Sequence, residues 1–216
     1  MKIELNIFTN CTRSAPRLKI IKATMRSFLD TFGEMPFRIF IDPGPKNVAF
    51  EQYKANIESS FATKNIVMTS GLSDGYVRSI KESEADYLFQ LEHDWTFQNI
   101  THSIDEILAA MAKAGIYHFR FSKHPNTITE QLMKWQTVMI EKEAAGVKYC
   151  ETDNLSNNPH IIDRKYYLKN LINRISVLPG SRGIEGNLTK KGLVGCQYGG
   201  LDYPRTIIHL QGRKKR

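Results

Sequence analysis

Hydrophobic and polar residues alternate with two distinct periods near the start of the chain. Residues 3–9 (IELNIFT) alternate with a period of two and include β-branched side chains, which predicts a strand. Over residues 14–33 apolar side chains return at helical spacing, with Ser14 and Pro16 suited to the first turn and Gly33 to the end. The pattern therefore predicts a strand followed directly by a helix.

The alternation of strand and helix continues as far as Gly115. Strands are predicted at 37–42, 65–70 and 87–91, and helices at 46–62, from Asp74 to about Ala85, and from Ser103 to Gly115, where Ser103 and Glu106 have capping-box spacing. Short connections between alternating strands and helices indicate parallel strands joined by right-handed crossovers. This half of the chain is therefore predicted to be Rossmann-like.

The second half of the chain is less regular. It predicts strands at 116–123, 135–141 and 147–153, a helix at 163–172 capped by Asp163, and a glycine-rich segment at 179–192 that is briefly helical. The fold class predicted for the whole chain is a single α/β domain with a mostly parallel sheet, mixed C-terminal strands and helices on both faces.

The carboxyl ends of the predicted strands carry most of the polar candidates for a binding site. In open α/β sheets ligands bind outside these ends. The polar or glycine residues found there are Thr9, Asn10, Asp42, Ser70, Gly71, Glu92 and Asp94. The sequence therefore predicts a ligand site at this edge of the sheet.

Two acids end the fourth predicted strand. Glu92 and Asp94 are two positions apart, so their side chains would point the same way along an extended segment. His93 between them would face the other way or lie in a turn. Carboxylates in this position can hold Mg²⁺ or Mn²⁺, which prefer oxygen ligands. The alternative is a turn with solvated acids.

The composition indicates a globular protein with a substantial core. Hydrophobic residues make up 41% of the 216 residues and aromatic residues 10%. No apolar run approaches the ~20 residues of a membrane span, and the first ten residues lack the apolar region of a signal peptide. The three cysteines, Cys11, Cys150 and Cys196, are far apart, which favours a reducing compartment. We therefore expect a cytoplasmic protein without membrane insertion.

The positive charge is concentrated in the second half of the chain. Residues 1–108 carry 12 Lys and Arg against 14 Asp and Glu, a net charge of −2, whereas residues 109–216 carry 18 against 8, a net charge of +10. A basic half of this kind attracts polyanions such as nucleic acid, anionic lipid or nucleotide phosphates. The alternative is a basic surface that only keeps the protein soluble.

The segment from Gly71 to Trp95 resembles the nucleotide-sugar site of GT-A fold glycosyltransferases. In that family a glycine turn precedes a helix with a basic residue, and a strand then leads to a D-x-D motif. The matching pieces here are Gly71, Arg78, the strand EADYLFQL and the tripeptide EHD. The first acid is Glu92 where aspartate is usual, so the resemblance supports Asp94 more strongly as a metal ligand.

Two later segments extend the resemblance. RGIEGNL resembles the place where inverting GT-A enzymes carry a catalytic base, which would be Glu185. RTIIHLQG resembles the C-terminal strand that supplies a further metal ligand, which would be His209. The alternatives are an acid that stabilises a helix amino end for Glu185 and a structural histidine for His209.

The resemblance implies a metal-dependent, inverting transfer from a UDP-sugar, with Mn²⁺ or Mg²⁺ held by Asp94, His209 and Glu92. Residues 1–100 would form the donor half and residues 101–216 the acceptor half. The donor would contact Thr9, Asn10, Asp42, Gly71, Arg78, Glu92 and His93. A surface salt bridge is the alternative for Arg78, and turn formation in DPGP is the alternative for Asp42.

The acceptor is predicted from the basic half and from a further resemblance. The chain looks like the compact glycosyltransferases of large phages, some of which modify hydroxymethylcytosine in DNA. The acceptor residues would be Trp95, His118, Arg120, Arg182, Lys190 and Lys191. A core position is the alternative for Trp95. Alternative functions are a transferase for a cell-surface glycan, a non-catalytic nucleic-acid-binding domain and a nucleotidyltransferase.

Overall fold

The computed structural model describes residues 1–11, 17–44, 49–61, 65–128, 139–153, 155–178, 183–188 and 192–210. The strands are β1 (Ile3–Asn10), β2 (Phe37–Asp42), β3 (Ile66–Met68), β4 (Tyr87–Glu92), β5 (Trp95–Phe97), β6 (His118–Arg120), β7 (Met139–Ala144), β8 (Val147–Thr152), β9 (His160–Asp163), β10 (Gly195–Tyr198) and β11 (Ile207–His209). The helices are α1 (Lys19–Phe32), α2 (Phe50–Phe61), α3 (Leu72–Glu82), α4 (Ile104–Ala114), α5 (Arg164–Asn170) and α6 (Glu185–Leu188), with a 3₁₀ turn at Ile172–Arg174.

Nine of these strands form one sheet in the order β3-β2-β1-β4-β9-β6-β10-β8-β7. The first four strands are mutually parallel. Strand β9 is antiparallel to β4 and β6, and β8 is antiparallel to β10 and β7, so the other seven strands share one direction. The predicted fold class, a Rossmann-like α/β domain with a mostly parallel sheet and mixed C-terminal strands, is confirmed.

Apolar side chains cover both faces of the sheet. Alternate residues of β1 show this, because Leu5 and Ile7 join one core cluster with α1 and α4, whereas Phe8 joins a second with α3 and α5. Each buried apolar side chain of this size contributes about 1.5–3 kcal/mol to folding. Helices therefore pack on both faces, as the sequence predicts. None of the helices in the described part of the chain is long and apolar enough to cross a membrane.

The predicted helix ends agree with the structure in three cases. Gly33 ends α1 with a φ of 77° and donates its N–H to the Leu29 carbonyl. Ser103 and Glu106 form a complete capping box at the start of α4, and Gly115 ends that helix in the left-handed region. Ser14 and Pro16, predicted in the first turn of α1, lie outside the described residues.

Several predicted boundaries are wrong in position. Helix α3 begins at Leu72, two residues before Asp74, which was predicted to cap it. Asp74 lies inside the first turn, and its carboxylate accepts the Ser70 N–H at 2.9 Å. The predicted helix over 163–172 ends at Asn170 and continues as a 3₁₀ turn, although Asp163 caps it as expected. Strands β5, β9 and β10 were not predicted.

Strands β5 and β11 form a separate antiparallel pair beside the carboxyl end of β4. His209 is aligned with Trp95, and Ile207 with Phe97. The Leu210 N–H donates to the Asp94 carbonyl at 2.7 Å, which extends the ladder by one residue toward β4. This pairing carries a segment from near the end of the chain to the acids that follow β4.

Candidate active site

A cleft opens where the carboxyl ends of β1, β2 and β4 meet the amino end of α3. It encloses about 360 Å³ of space, part of which is open to solvent. Six of the seven residues predicted to bind the donor line it, namely Thr9, Asn10, Asp42, Gly71, Glu92 and His93. The strand order thus brings these residues together from four segments of the sequence.

Local hydrogen bonds fix two of the polar side chains in the cleft. The Thr9 hydroxyl lies 2.6 Å from the hydroxyl of the buried Tyr53. Asp42 Oδ1 accepts the Gly44 N–H at 2.9 Å, so this carboxylate does shape the DPGP turn. Gly71 has a φ of 148°, a conformation that favours glycine where the chain enters α3.

Arg78, the seventh predicted donor residue, does not line the cleft. Its side chain is partly exposed on α3, where Nε lies 2.7 Å from a Glu82 carboxylate oxygen. The guanidinium also donates to the Met68 carbonyl. The geometry agrees with the alternative that the sequence left open, a surface salt bridge.

A tight turn follows β4 at His93 and Asp94. The His93 N–H donates to the Phe8 carbonyl at 3.0 Å, and the Thr24 hydroxyl donates to the His93 carbonyl at 2.6 Å. Because Glu92 ends the strand and the next two residues turn, the extended spacing expected for Glu92 and Asp94 is wrong. Glu92 lines the cleft, whereas Asp94 is buried toward β11.

Asp94 and His209 lie side by side despite their separation in the sequence. His209 Nε2 is 3.0 Å from Asp94 Oδ2, with the imidazole side chain 30% exposed and the carboxylate 4% exposed. The pairing of β11 with β5 fixes the imidazole at this position. The contact joins an acid of the turn after β4 to an imidazole from the last described strand.

The second oxygen of Asp94 is buried and has no hydrogen-bond partner among the described residues. A buried carboxylate oxygen without a partner costs free energy unless a cation or a donor satisfies it. The described part of the chain contains no group of three or more His, Cys, Asp or Glu side chains arranged around a common metal position. Asp94 and His209 thus form a pair that no third such side chain of the described residues, Glu92 included, completes into a metal-binding group.

Trp95 packs beneath this pair and is largely inaccessible. Its ring centroid is 4.5 Å from that of His209 in an edge-to-face arrangement, and the residue is 6% exposed. This position fits the alternative of a core aromatic. The indole orients His209 by packing and offers no open face for stacking.

Glu185 begins the short helix α6 and is exposed. Its Oε1 accepts hydrogen bonds from the Ser156 hydroxyl at 2.8 Å and from the Asn157 N–H at 3.2 Å. Burial, followed by the negative charges of Glu92 and Glu185, raises the pKa of Tyr76 well above its ordinary value. Both carboxylates therefore act electrostatically on one phenol, although Glu185 is not among the residues that line the cleft.

A row of polar side chains that the sequence patterns did not predict crosses the middle of the sheet. Strand register aligns Asn6, Gln90, His160, Arg120 and Gln197 on neighbouring strands. None of them is more than 5% exposed. The available signal was a polar residue at a buried strand position, such as Gln90 in YLFQL.

Two predicted acceptor residues belong to this buried region. His118 is fully buried, and its Nδ1 lies 2.8 Å from the Tyr167 hydroxyl. Burial lowers the pKa of Arg120 to about 10, while Glu185 and Asp153 oppose this shift, so the guanidinium is charged at neutral pH. The structure therefore buries both His118 and Arg120, so neither presents its side chain at the surface. Arg182, Lys190 and Lys191 lie outside the described residues.

The buried histidines predict a loss of stability in acid. The rings of His118 and His160 stack at 4.5 Å, and burial lowers the pKa of His160 to about 4 and that of His118 well below its ordinary value. Both are neutral in the fold, so their stabilisation is complete above pH ~6.5, where the unfolded chain is also neutral. It falls as the pH drops from 6.5 toward 4, by up to ~1.4 kcal/mol per pH unit for each histidine.

Urea unfolding of the wild type and of His160→Gln between pH 7.5 and pH 5 measures this effect. We expect the variant to be less stable at pH 7.5 but to lose less stability on acidification. Equal pH slopes in the two proteins would show that His160 is not held neutral by the fold.

No protein-family model matches the chain, and no curated protein matches its sequence. Solved structures do match. Glucosyl-3-phosphoglycerate synthase from Mycobacterium tuberculosis, in complex with Mn²⁺, UDP-glucose and phosphoglyceric acid, gives a TM-score of 0.39 at 11% identity over 76% of this chain. The same synthase with Mg²⁺ and UDP gives a TM-score of 0.40 at 10% identity. This chain spans 57% of the length of that synthase.

A second kind of enzyme shares the fold over nearly the whole chain. CMP:2-keto-3-deoxy-manno-octonic acid synthetase, complexed with CTP, gives a TM-score of 0.51 at 14% identity over 94% of this chain and 93% of that one. At this identity the similarity concerns the fold alone. The structural neighbours thus include a nucleotide-sugar glycosyltransferase and a nucleotidyltransferase.

Proposed function

We propose that this chain is a metal-dependent glycosyltransferase that moves a sugar from a nucleoside diphosphate-sugar, with UDP as the nucleotide, to an acceptor hydroxyl. The observation that carries the proposal is the pair formed by Asp94 and His209, 3.0 Å apart, in which Asp94 directly follows the cleft residue His93 in the chain. A carboxylate oxygen and an imidazole nitrogen are ligands suited to a diphosphate-bound cation.

The donor would lie in the cleft with its nucleoside against Thr9, Asn10 and Asp42. Its diphosphate would approach the amino end of α3 after Gly71, because the amino end of a helix favours anions. His93 and Glu92 line the same space. These residues bind and orient the donor, and the aromatic rings of the cleft shield it from water.

The residues fit Mn²⁺ or Mg²⁺. Asp94 Oδ1 is buried without a partner among the described residues, and the neighbouring imidazole suits Mn²⁺ in particular. Asp94 and His209 would hold the ion, and diphosphate oxygens and water would complete its coordination, as is usual for these cations. When bound, the cation offsets the charge that develops on the leaving nucleoside diphosphate.

Glu185 would act as the base. Its carboxylate would take the proton of the acceptor hydroxyl as that oxygen bonds to the anomeric carbon. The bond from this carbon to the diphosphate breaks, and its electron pair leaves with the nucleoside diphosphate. A single displacement inverts the anomeric configuration.

We propose DNA that carries a hydroxymethylated pyrimidine as the acceptor. The support is the net charge of +10 in residues 109–216 together with the phage-type resemblance of the sequence. Incubation with radiolabelled UDP-sugar should label a hydroxymethylcytosine duplex and leave an unmodified duplex unlabelled. Label on neither duplex would rule out this acceptor and favour a cell-surface glycan.

The three described cysteines are buried free thiols, which supports a cytoplasmic location.

A nucleotidyltransferase is the second candidate, because the CTP-complexed synthetase shares the fold over 94% of this chain. Such enzymes usually carry a glycine-rich phosphate loop near the first strand. The corresponding segment here, TNCTRSAP, contains no glycine. This difference favours the glycosyltransferase.

A thermal-shift panel separates the two candidates. We use UDP-glucose, UDP and CTP as probes, each with and without Mn²⁺. A glycosyltransferase should be stabilised by UDP-glucose only when Mn²⁺ is present, by about 2.7 kcal/mol at a hundredfold excess over Kd. Stabilisation by CTP and not by UDP-glucose, followed by pyrophosphate release with a sugar acid, would overturn the proposal in favour of nucleotidyl transfer.

A further inference from the structure

The position of Glu185 is set by a segment that lies well before it in the sequence. Asn157 Oδ1 accepts the Ile184 N–H at 2.8 Å and the Glu185 N–H at 3.3 Å, so it caps α6 from outside the helix. In return, the Asn157 N–H donates to Glu185 Oε1. Asn157, in the segment before β9, thus binds both the backbone N–H and the side chain of Glu185.

Ser156 completes this support from a buried position. Its hydroxyl donates to Glu185 Oε1 at 2.8 Å, and the residue is 7% exposed. The same oxygen therefore receives two hydrogen bonds, one from a hydroxyl and one from a backbone N–H. Glu185 Oε2 receives none from the described residues, so it is the oxygen that remains available to an acceptor.

The turn before Glu185 is also tied to the donor cleft. The Gly183 N–H donates to the hydroxyl of the buried Ser73 at 2.8 Å, and Ser73 lies in the first turn of α3, next to the cleft residues Gly71 and Leu72. Gly183 has a φ of 59°, and a Cβ at this position would meet the Asn157 amide at 2.9 Å. Only glycine therefore allows the close approach between this turn and Asn157.

We infer that Ser156 and Asn157 are positioning residues that fix the Glu185 carboxylate for its role as base, with Ser73 setting its distance from the donor. This inference rests on the proposed function. Two hydrogen bonds to Oε1 restrict the carboxylate to one orientation and direct Oε2 toward the acceptor. An exposed glutamate without them would sample several rotamers, and base catalysis depends on close alignment.

Ser156→Ala tests the inference, because it removes the hydroxyl donor and leaves the Asn157 cap in place. UDP release from UDP-glucose in the presence of Mn²⁺ should show kcat lowered ~10- to 100-fold with an unchanged KM for the donor. Ser156→Thr keeps a hydroxyl and should restore kcat. Ser59→Ala, on an exposed position of α2, is the matched control and should behave as wild type.

A second readout does not depend on turnover. Thermal unfolding of Ser156→Ala, Glu185→Ala and the double variant should give a Tm loss in the double variant that differs from the sum of the single losses, because the two side chains are in contact.

The outcomes separate the inference from the function. If Glu185→Gln lowers kcat while Ser156→Ala matches wild type, or if the Tm losses add, the positioning role is overturned and the proposed function stands. If the wild type releases no UDP, the proposed function fails and the inference falls with it. If the wild type releases UDP and Glu185→Gln keeps full kcat, Glu185 is not the base, so the inference is overturned while metal-dependent sugar transfer stands.

Discussion

Asp94→Asn should abolish the Mn²⁺-dependent stabilisation by UDP-glucose and lower sugar-transfer turnover by about 10²- to 10³-fold. The substitution keeps the size of the side chain but removes the charge of the buried carboxylate, whose second oxygen has no partner among the described residues. Metal stabilisation of a leaving diphosphate is worth several kcal/mol, and each ~1.4 kcal/mol is a factor of ten in rate. Thermal shift and steady-state kinetics measure both effects.

Asp30→Asn is the matched control for this variant. Asp30 is exposed on α1 and forms an i,i+4 ion pair with Arg26, the kind of pair that contributes at most about 0.5 kcal/mol. The Asp30→Asn variant should keep both the Mn²⁺-dependent stabilisation by UDP-glucose and the wild-type turnover. A folded Asp94→Asn protein that retains the full metal response would mean that Asp94 is a structural partner of His209 and nothing more.

Glu185→Gln should lower kcat by about 10²- to 10⁴-fold and leave the KM for the donor unchanged, because a general base contributes in this range and does not bind the donor. The amide oxygen can still accept from Ser156 and Asn157, so the fold and the start of α6 should persist. Steady-state kinetics at saturating donor and unchanged thermal unfolding are the measurements.

Glu34→Gln provides the control for Glu185→Gln. Glu34 is exposed and lies just before β2, at the edge of the sheet opposite the cleft. Its variant should transfer sugar at the wild-type rate. If Glu185→Gln and Glu34→Gln have the same kcat, Glu185 is not the base. Its contacts with Asn157 would then serve only to stabilise the start of α6.

The parallel part of the fold could be predicted because its signals are local. Strands β1, β2 and β4 show clear apolar patterns, and the capping box of Ser103 and Glu106 marks α4 without reference to the rest of the chain. Strand β9 (His160–Asp163) is only four residues long and begins with a buried histidine. Its antiparallel insertion between β4 and β6 depends on long-range pairing, which no local pattern encodes.

In the candidate site, too, some residues could be predicted from local signals, whereas others depend on long-range pairing. The donor-side residues follow from the rule that ligands gather at strand carboxyl ends, and six of the seven predicted residues do line one cleft. The proximity of Asp94 and His209 was expected only through the family resemblance, because it needs the pairing of β5 with β11. The burial of His118 and Arg120 could not be read from their positions in a strand, since it depends on which strands flank β6.

The support of Glu185 by Ser156 and Asn157 shows what sequence reasoning lacks at this site. The segment SNNP carries no motif that would link it to RGIEGNL, and the two segments meet in the fold, where SNNP leads into β9 beside β4. Side chains that orient a base are therefore found from geometry, whereas the base itself can be suggested by a motif.

A crystal of the protein soaked with Mn²⁺ and UDP tests the central claim most directly, because manganese gives an anomalous scattering signal. The account predicts a single strong anomalous peak in contact with the Asp94 carboxylate and the His209 imidazole, with the diphosphate of UDP beside it. UDP bound in the cleft with no anomalous peak at this pair, or with the peak at other side chains, would contradict it.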